Sequence, residues 1–258
     1  MSDEIFEINR FDRGDGHQIA FERITGRSPT VVFLGGFRSD MMGTKASFLA
    51  DWCREHERSY LRFDYYGHGL SSGEFFDGTI GRWIDDAVNV IENTVDSKVV
   101  LVGSSMGGWI MLHVAMRLKD KVEAMIGVAA APDFTRDLMQ EQFDAAQSNA
   151  LSETGRITLQ TPYDPEGFEL SQKFFDDGEQ RLVLGDTIAV DVPVRLLHGL
   201  KDEEVPWQIS LRLLDALKGE DVRVMLLKDA DHRFSEPDQL QLIATALDDL
   251  LVGDAESG

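Results

Sequence analysis

Runs of β-branched and aliphatic residues recur at 30–34, 60–63, 99–102, 124–128, 194–197 and 222–227, separated by segments whose apolar residues return every three or four positions. This alternation predicts a mainly parallel sheet. Parallel neighbours must be joined by crossovers, and strands covered by helices on both faces read as nearly unbroken apolar runs. Residues 4–11 and 17–24 instead alternate apolar and polar, the pattern of an antiparallel hairpin at a sheet edge. The expected architecture is α/β, with about eight strands, two of them antiparallel, flanked by helices.

The helical segments are amphipathic. In 79–94, Ile80, Trp83, Ile84, Ala87, Val88 and Ile91 fall on one face, with Asp85, Asp86, Asn89 and Glu92 on the other. Trp83 reads as core. From Asp133 to about residue 190 the strand–helix rhythm breaks into a polar stretch, a Pro162-Tyr163-Asp164-Pro165 turn and a helical run through Phe168, Phe174 and Phe175. The chain, 1–258, is read as one domain with a small lid inserted at about 133–190.

Composition narrows the function classes. With 43% hydrophobic residues and 7 prolines, the chain has the balance of a globular core. Its 46 Asp and Glu against 25 Lys and Arg give a net charge of −21, a field that repels phosphate backbones and argues against nucleic acid as a partner. A single cysteine, Cys53, can close no intramolecular disulfide and build no thiolate metal cage; it reads as a small buried residue of a helix over 44–57. The start, Met1-Ser2-Asp3-Glu4, is acidic rather than basic and apolar, and no stretch approaches the roughly 20 apolar residues of a bilayer crossing. The expectation is a cytoplasmic protein without integral membrane association.

Gly103-Ser104-Ser105-Met106-Gly107 fits Gly-x-Ser-x-Gly with Ser105 at its centre, following the strand pattern that ends at Val102 and opening an apolar helix over 109–118. A sharp strand-to-helix turn forces the central serine into strained angles, and side chains two residues either way would collide where strand and helix meet. A glycine-rich turn without chemistry is the alternative. A serine hydroxyl needs a base, and the base needs a carboxylate, with the acid and then the histidine following the serine in chain order. Asp202 and His232 lie on loops after the strand patterns 194–197 and 222–227. Asp133 is the second candidate acid. His17, His56, His68, His113 and His198 read as structural: His68 bonds its own turn, and His198 anchors the acid loop. Backbone N–H donors for the oxyanion are expected from Met106 and from Phe37 in Leu34-Gly35-Gly36-Phe37.

These residues identify the chain as resembling the serine hydrolases of the alpha/beta-hydrolase superfamily. Within it, Met42-Gly43-Thr44-Lys45-Ala46, Arg62-Phe63-Asp64-Tyr65, Gly107-Gly108-Trp109, Arg195-Leu196-Leu197-His198-Gly199, Val205-Pro206-Trp207 and Asp231-His232-Arg233 are similar to the family of alpha/beta-hydrolase-domain-containing protein ten. The likeness covers most of the chain outside the lid. It implies acyl-protein thioesterase activity, removing palmitoyl groups from cysteine, and acyl-glucuronide ester hydrolysis, with the triad on Ser105, Asp202 and His232. The sequence departs from that family in Gly35-Gly36-Phe37 where the family has a proline and a tyrosine, and in the lid; from the acidic first residues no mitochondrial leader is expected.

The expected activity is thus hydrolysis of a small-molecule ester or thioester, or of an S-acylated protein, without metal or organic cofactor. Met41, Trp109 and Phe134 are candidates for an acyl-chain pocket, and Arg38 for receiving a substrate carboxylate. An amino- or oligopeptidase with the same triad, and a noncatalytic ligand-binding protein of this fold, are the alternatives.

Overall fold

The computed structural model describes residues 7–161 and 164–251. Its main sheet opens with an antiparallel hairpin, β1 (Asn9–Asp12) and β2 (Gln18–Ile24), followed by β3 (Arg27–Leu34). Helix α1 (Thr44–Glu55), β4 (Arg58–Phe63), α2 (Ile80–Thr94), β5 (Val99–Ser104), α3 (Met106–Arg117) and β6 (Val122–Val128) continue the alternation. After an inserted segment come β9 (Val194–Gly199), α6 (Gln208–Ala216), β10 (Val222–Leu227) and α7 (Pro237–Leu251). The eight strands stand in the order β1-β2-β4-β3-β5-β6-β9-β10. Pairing is antiparallel from β1 through β2 to β4 and parallel thereafter. The six apolar runs are therefore parallel strands, and residues 9–24 hold the edge hairpin; residues 4–6 lie outside the described residues.

Because side chains alternate across a strand, the sheet sorts its apolar residues into two cores. Val32, Leu34, Leu101 and Met125 face α2, α3 and α6. Val31, Phe33, Val100, Val102, Ile126 and Leu197 face α1 and α7. The stripe Ile80, Trp83, Ile84, Ala87 and Ile91 of α2 is fully buried, each large aliphatic side chain contributing about 1.5–3 kcal/mol by removal from water. Asp86 departs from the expected solvent face. It is buried, accepts the Tyr66 N–H at 2.8 Å and pairs with Arg13, so the polar side of this helix is partly a structural ion pair.

Between β6 and β9 the segment begins with a π-helical turn, Thr135–Met139, and contains α4 (Ala145–Thr154), a two-stranded antiparallel sheet of β7 (Arg156–Thr161) and β8 (Asp164–Ser171), and α5 (Gln172–Glu179). The expected helical run through Phe168 is corrected here. Phe168 lies on β8, and the helix starts only after Ser171, whose hydroxyl accepts the Phe174 N–H at 3.2 Å as an N-cap. The reason is local: the ladder with β7 satisfies the backbone through Leu170, and the cap then releases the chain into a helix that buries Phe174 and Phe175. Pro162 and Tyr163 of the expected turn lie outside the described residues.

Candidate active site

Strand β5 is buried along its whole length, and the chain turns sharply from it into α3 at Ser105. Ser105 has φ 53° and ψ −119°, a region sparsely populated by residues with a side chain. Three backbone bonds hold it there: its N–H donates to the Val128 carbonyl at 3.0 Å, and its own carbonyl accepts from Gly108 at 2.8 Å and Ala131 at 3.0 Å. The flanking glycines are sterically required. A Cβ at Gly103 would stand 2.5 Å from the Gly107 oxygen, and one at Gly107 would stand 2.0 Å from the Leu34 oxygen.

His232, in the loop after β10, directs Nε2 to Ser105 Oγ at 3.1 Å and Nδ1 to Asp202 Oδ2 at 2.8 Å. With Nδ1 facing a carboxylate, the proton belongs on Nδ1 and Nε2 is free to accept from the serine hydroxyl. Asp202, in the loop after β9, has a side chain closed to solvent, and its Oδ1 accepts the N–H groups of Glu204 at 3.0 Å and Val205 at 2.7 Å. Burial alone would raise its carboxyl pKa. The hydrogen bonds from His198 and His232, the neighbouring His232 charge and the Val205 N–H outweigh this and hold it well below the usual carboxylate range.

His198 supports that acid as expected. Its Nε2 faces Asp202 Oδ2 at 3.1 Å and the Val205 carbonyl at 3.0 Å, and its Nδ1 faces Ser210 Oγ at 2.7 Å. His232 Nδ1 faces Asp202 rather than Asp133, whose buried carboxylate accepts the Val183 and Leu184 N–H groups at 2.9 Å, pinning the return of the inserted segment. Asp231 Oδ1 accepts from Arg233 N–H at 3.1 Å and Phe234 N–H at 3.3 Å, capping its own turn. The remaining histidines stay structural: His113 Nε2 bonds the Arg181 carbonyl at 2.8 Å, His56 stacks on Trp52, and His17 packs edge-on against Tyr66.

The loop after β3 lies against Ser105: a Cβ on Gly36 would be 3.5 Å from the Ser105 Cβ. The backbone of Phe37 thus follows directly on the point of contact, and Met106 follows Ser105 at the head of α3. A cleft of about 650 Å³ opens above Ser105 and His232, with Phe37, Met139 and Phe168 on its apolar side and Lys45 on the other. Arg38 also lines it, its guanidinium 4.2 Å from the centre of the Phe168 ring. Met139 and Phe168 carried no signal in the sequence that tied them to the site, because the inserted segment brings them there. Lys45 donates to the carbonyl of Arg233, next to His232. Burial lowers the Lys45 pKa to about 8, with Asp231 opposing and Arg233 adding to the shift.

Two of the expected pocket residues lie elsewhere. Met41 and Trp109 are buried in the protein core, where the Met41 N–H donates to Asp64 Oδ1 at 2.6 Å and the Trp109 indole donates to the Arg181 carbonyl at 3.0 Å. Phe134 is buried beneath the cleft, its ring 5.6 Å from that of Phe37. Cys53 is buried in α1, and burial pushes its thiol up to about 12, so it holds no reactive thiolate. Among the described residues no group of three or more His, Cys, Asp or Glu is arranged to hold a metal ion, and no helix is long and apolar enough to cross a membrane.

The model of the alpha/beta hydrolase family matches residues 31–250. The chain is 37% identical to the mouse protein named palmitoyl-protein thioesterase ABHD10, mitochondrial, over 95% of this chain and 82% of the mouse protein. The human protein of the same name is 36% identical over 95% of this chain and 80% of its own length. The solved structure of mouse alpha/beta hydrolase domain-containing protein 10 matches with a TM-score of 0.89 and 34% identity, over 96% of this chain and 100% of that one. A putative hydrolase from Agrobacterium vitis S4 gives 0.90 and 35%, over 95% and 98%. The cytoplasmic expectation is overturned by these relatives, whose names place them in mitochondria. It rested on the acidic first residues and on the want of a bilayer-length apolar stretch, and neither is a feature of the folded domain shared with these relatives.

Proposed function

The chain belongs to the alpha/beta hydrolase family, and from that premise we propose that it is a serine hydrolase cleaving acyl thioesters or carboxylic esters through an acyl-enzyme on Ser105. The observation that carries this reading is the continuous relay Ser105 Oγ to His232 Nε2 at 3.1 Å and His232 Nδ1 to Asp202 Oδ2 at 2.8 Å. His232 takes the Ser105 proton as Oγ adds to the acyl carbonyl carbon, and the Phe37 and Met106 N–H groups receive the oxyanion. Collapse of the tetrahedral adduct expels the thiol or alcohol, protonated by His232. Water, deprotonated by the same imidazole, then releases the acid and regenerates Ser105. Asp202 holds His232 in the required tautomer and stabilises the imidazolium.

A thioester with an apolar acyl chain is the favoured substrate. Phe37, Met139 and Phe168 give the cleft an apolar wall, and the relatives matched over most of the chain are named palmitoyl-protein thioesterases. The segment between β6 and β9 would act as the lid that sets chain-length preference.

Hydrolysis of matched ester and thioester series from about two to sixteen carbons, with Ser105→Ala as control, tests this. Thioesterase activity that rises with chain length, labelling by a fluorophosphonate probe, and loss of both in Ser105→Ala are the expected results. A short-chain ester preference would move the substrate to small esters or acyl conjugates. Activity surviving in Ser105→Ala, or absence of labelling in the unmodified chain, would overturn the mechanism.

A further inference from the structure

His68 sits in the turn after β4, buried at 4% exposure among the rings of Tyr65, Phe75 and Trp83, with centroids 5.7, 5.2 and 5.0 Å away. As the sequence suggested, it bonds its own turn, Nδ1 facing the Tyr66 carbonyl at 3.1 Å. Its other nitrogen leaves that turn. Nε2 faces the backbone N–H of Arg38 at 3.3 Å, across thirty positions of sequence. Only one tautomer satisfies both contacts: Nδ1 carries the hydrogen and donates to Tyr66, and Nε2 accepts from Arg38.

Arg38 directly follows Phe37, and its backbone occupies the left-handed region at φ 57°. A residue with a side chain stays in that region only when its surroundings hold it there. Two further fixed points of the same loop are Ser39, whose hydroxyl donates to the Gly36 carbonyl at 2.8 Å, and Met41, whose N–H donates to Asp64 Oδ1 at 2.6 Å. Asp64 and His68 both belong to the segment following β4, and Asp64 Oδ2 also accepts the Leu70 N–H at 2.7 Å. One rigid turn therefore carries two anchors for the loop that touches Ser105.

We propose that His68 is a positioning residue for the oxyanion-binding loop: by accepting the Arg38 N–H it fixes the peptide that adjoins Phe37, and so aims the Phe37 N–H at the oxygen of the acyl group on Ser105. This rests on the serine-hydrolase reading above. The hydrogen bond acts on the transition state, because the Phe37 N–H is worth most when the carbonyl oxygen has become an oxyanion. Misplacing such a donor by an ångström costs rate without requiring any loss of ground-state binding.

The test compares His68→Phe, which keeps an aromatic ring in the aromatic cage, with His68→Gln, whose side-chain oxygen can still accept from Arg38, in the full chain. The readouts are kcat and KM on one acyl thioester, the inhibition constant of the matching acyl trifluoromethyl ketone, and the thermal midpoint. Ser105 Oγ adds to the ketone carbon and its proton passes to His232, so the bound adduct presents the oxyanion without a leaving group. For His68→Phe we expect kcat to fall by about 10²-fold with KM within about threefold, and ketone affinity to fall in step with kcat. His68→Gln should recover most of both. Unchanged kcat and ketone affinity in His68→Phe would overturn the proposal, and so would equal losses in both variants that track a lowered midpoint. A wild-type chain that binds no ketone and takes no fluorophosphonate would instead overturn the serine-hydrolase reading, and this inference with it.

Discussion

His198 and His232 share a single oxygen: both direct a ring nitrogen at Asp202 Oδ2, from 3.1 and 2.8 Å. The two rings are not equivalent. His198 is closed to solvent and is tied to the Val205 carbonyl and Ser210 hydroxyl, whereas the His232 side chain is 16% exposed and reaches Ser105. On the proposed mechanism, one histidine orients the acid and the other moves protons.

This division of labour separates two substitutions. Asp202→Asn keeps the shape but presents an amide to His232, disfavouring the tautomer that accepts from Ser105, so kcat should fall by about 10⁴-fold. His198→Phe leaves Asp202 held by the Glu204 and Val205 N–H groups, so the loss should be nearer tenfold. It also leaves the buried Val205 carbonyl without the imidazole donor, at about 1–3 kcal/mol. Steady-state kinetics and urea unfolding of both variants check the pair of expectations; a larger kinetic loss in His198→Phe than in Asp202→Asn would reverse the assignment.

The acid side of the stability curve should carry the signature of His68. Burial lowers its pKa from 6.5 to about 4, against the opposing bond to Tyr66 and with Arg38 adding to the shift. Between those values the unfolded chain takes up a proton that the folded chain does not, so stability falls as the pH drops from about 6.5 to about 4. The full effect is on the order of 3 kcal/mol. Urea unfolding of wild type and His68→Phe at a series of pH values should show the steeper slope in the former, since His113, whose pKa burial also lowers, contributes to both. Equal slopes would mean that the ring is solvated in the folded chain.

Much of this molecule is legible in its sequence because each local signal answers to one physical demand. Five of the six apolar runs are strands buried on both faces, the sixth, β10, is a half-exposed edge strand with the same β-branched pattern, and Ser105 is marked by two glycines that backbone collisions impose. The contact of Asp202 and His232 with each other and with Ser105 is anticipated by chain order, and that of His198 with the acid loop by its place before a glycine at a strand end. What was hidden is what depends on contacts distant in sequence. Met41 and Trp109 look like pocket residues by proximity to the loop and the serine, yet their side chains point into the core. Phe168 has a helical spacing to Phe175, but pairing with β7 places it on a strand over the cleft. The Arg38 N–H bond to His68 spans two crossover loops, and nothing in either segment names the other.

Gly107 offers the sharpest stability contrast. Alanine there would drive a Cβ to within 2.0 Å of the Leu34 oxygen and 2.7 Å of the Gly35 oxygen, both backbone atoms that cannot swing away. Relief requires α3 to shift from the loop after β3, so Gly107→Ala should cost more than about 3 kcal/mol or prevent folding. Alanine at Gly185, where a Cβ meets nothing within 4 Å, should cost little by comparison. Thermal unfolding of the two variants measures the difference; near-equal midpoints would show that the turn has room the geometry denies.

Arg38 supplies the last expectation, because it joins the loop to the cleft wall. Its guanidinium lies 4.2 Å from the Phe168 ring centre, a cation–π contact of about 0.5–2 kcal/mol that fastens β8 over the site while leaving the charge at the cleft surface. Arg38→Ala removes both the cation and the fastening. If the charge receives an acidic group of the substrate, KM should rise about tenfold for an ester bearing a carboxylate and much less for its neutral methyl-capped analogue. If only the fastening matters, both substrates should suffer alike. Arg38→Lys distinguishes the two roles further, since an ammonium keeps the charge but not the planar stacking on Phe168. It should preserve the preference for the acidic ester in the first case, and behave like alanine in the second.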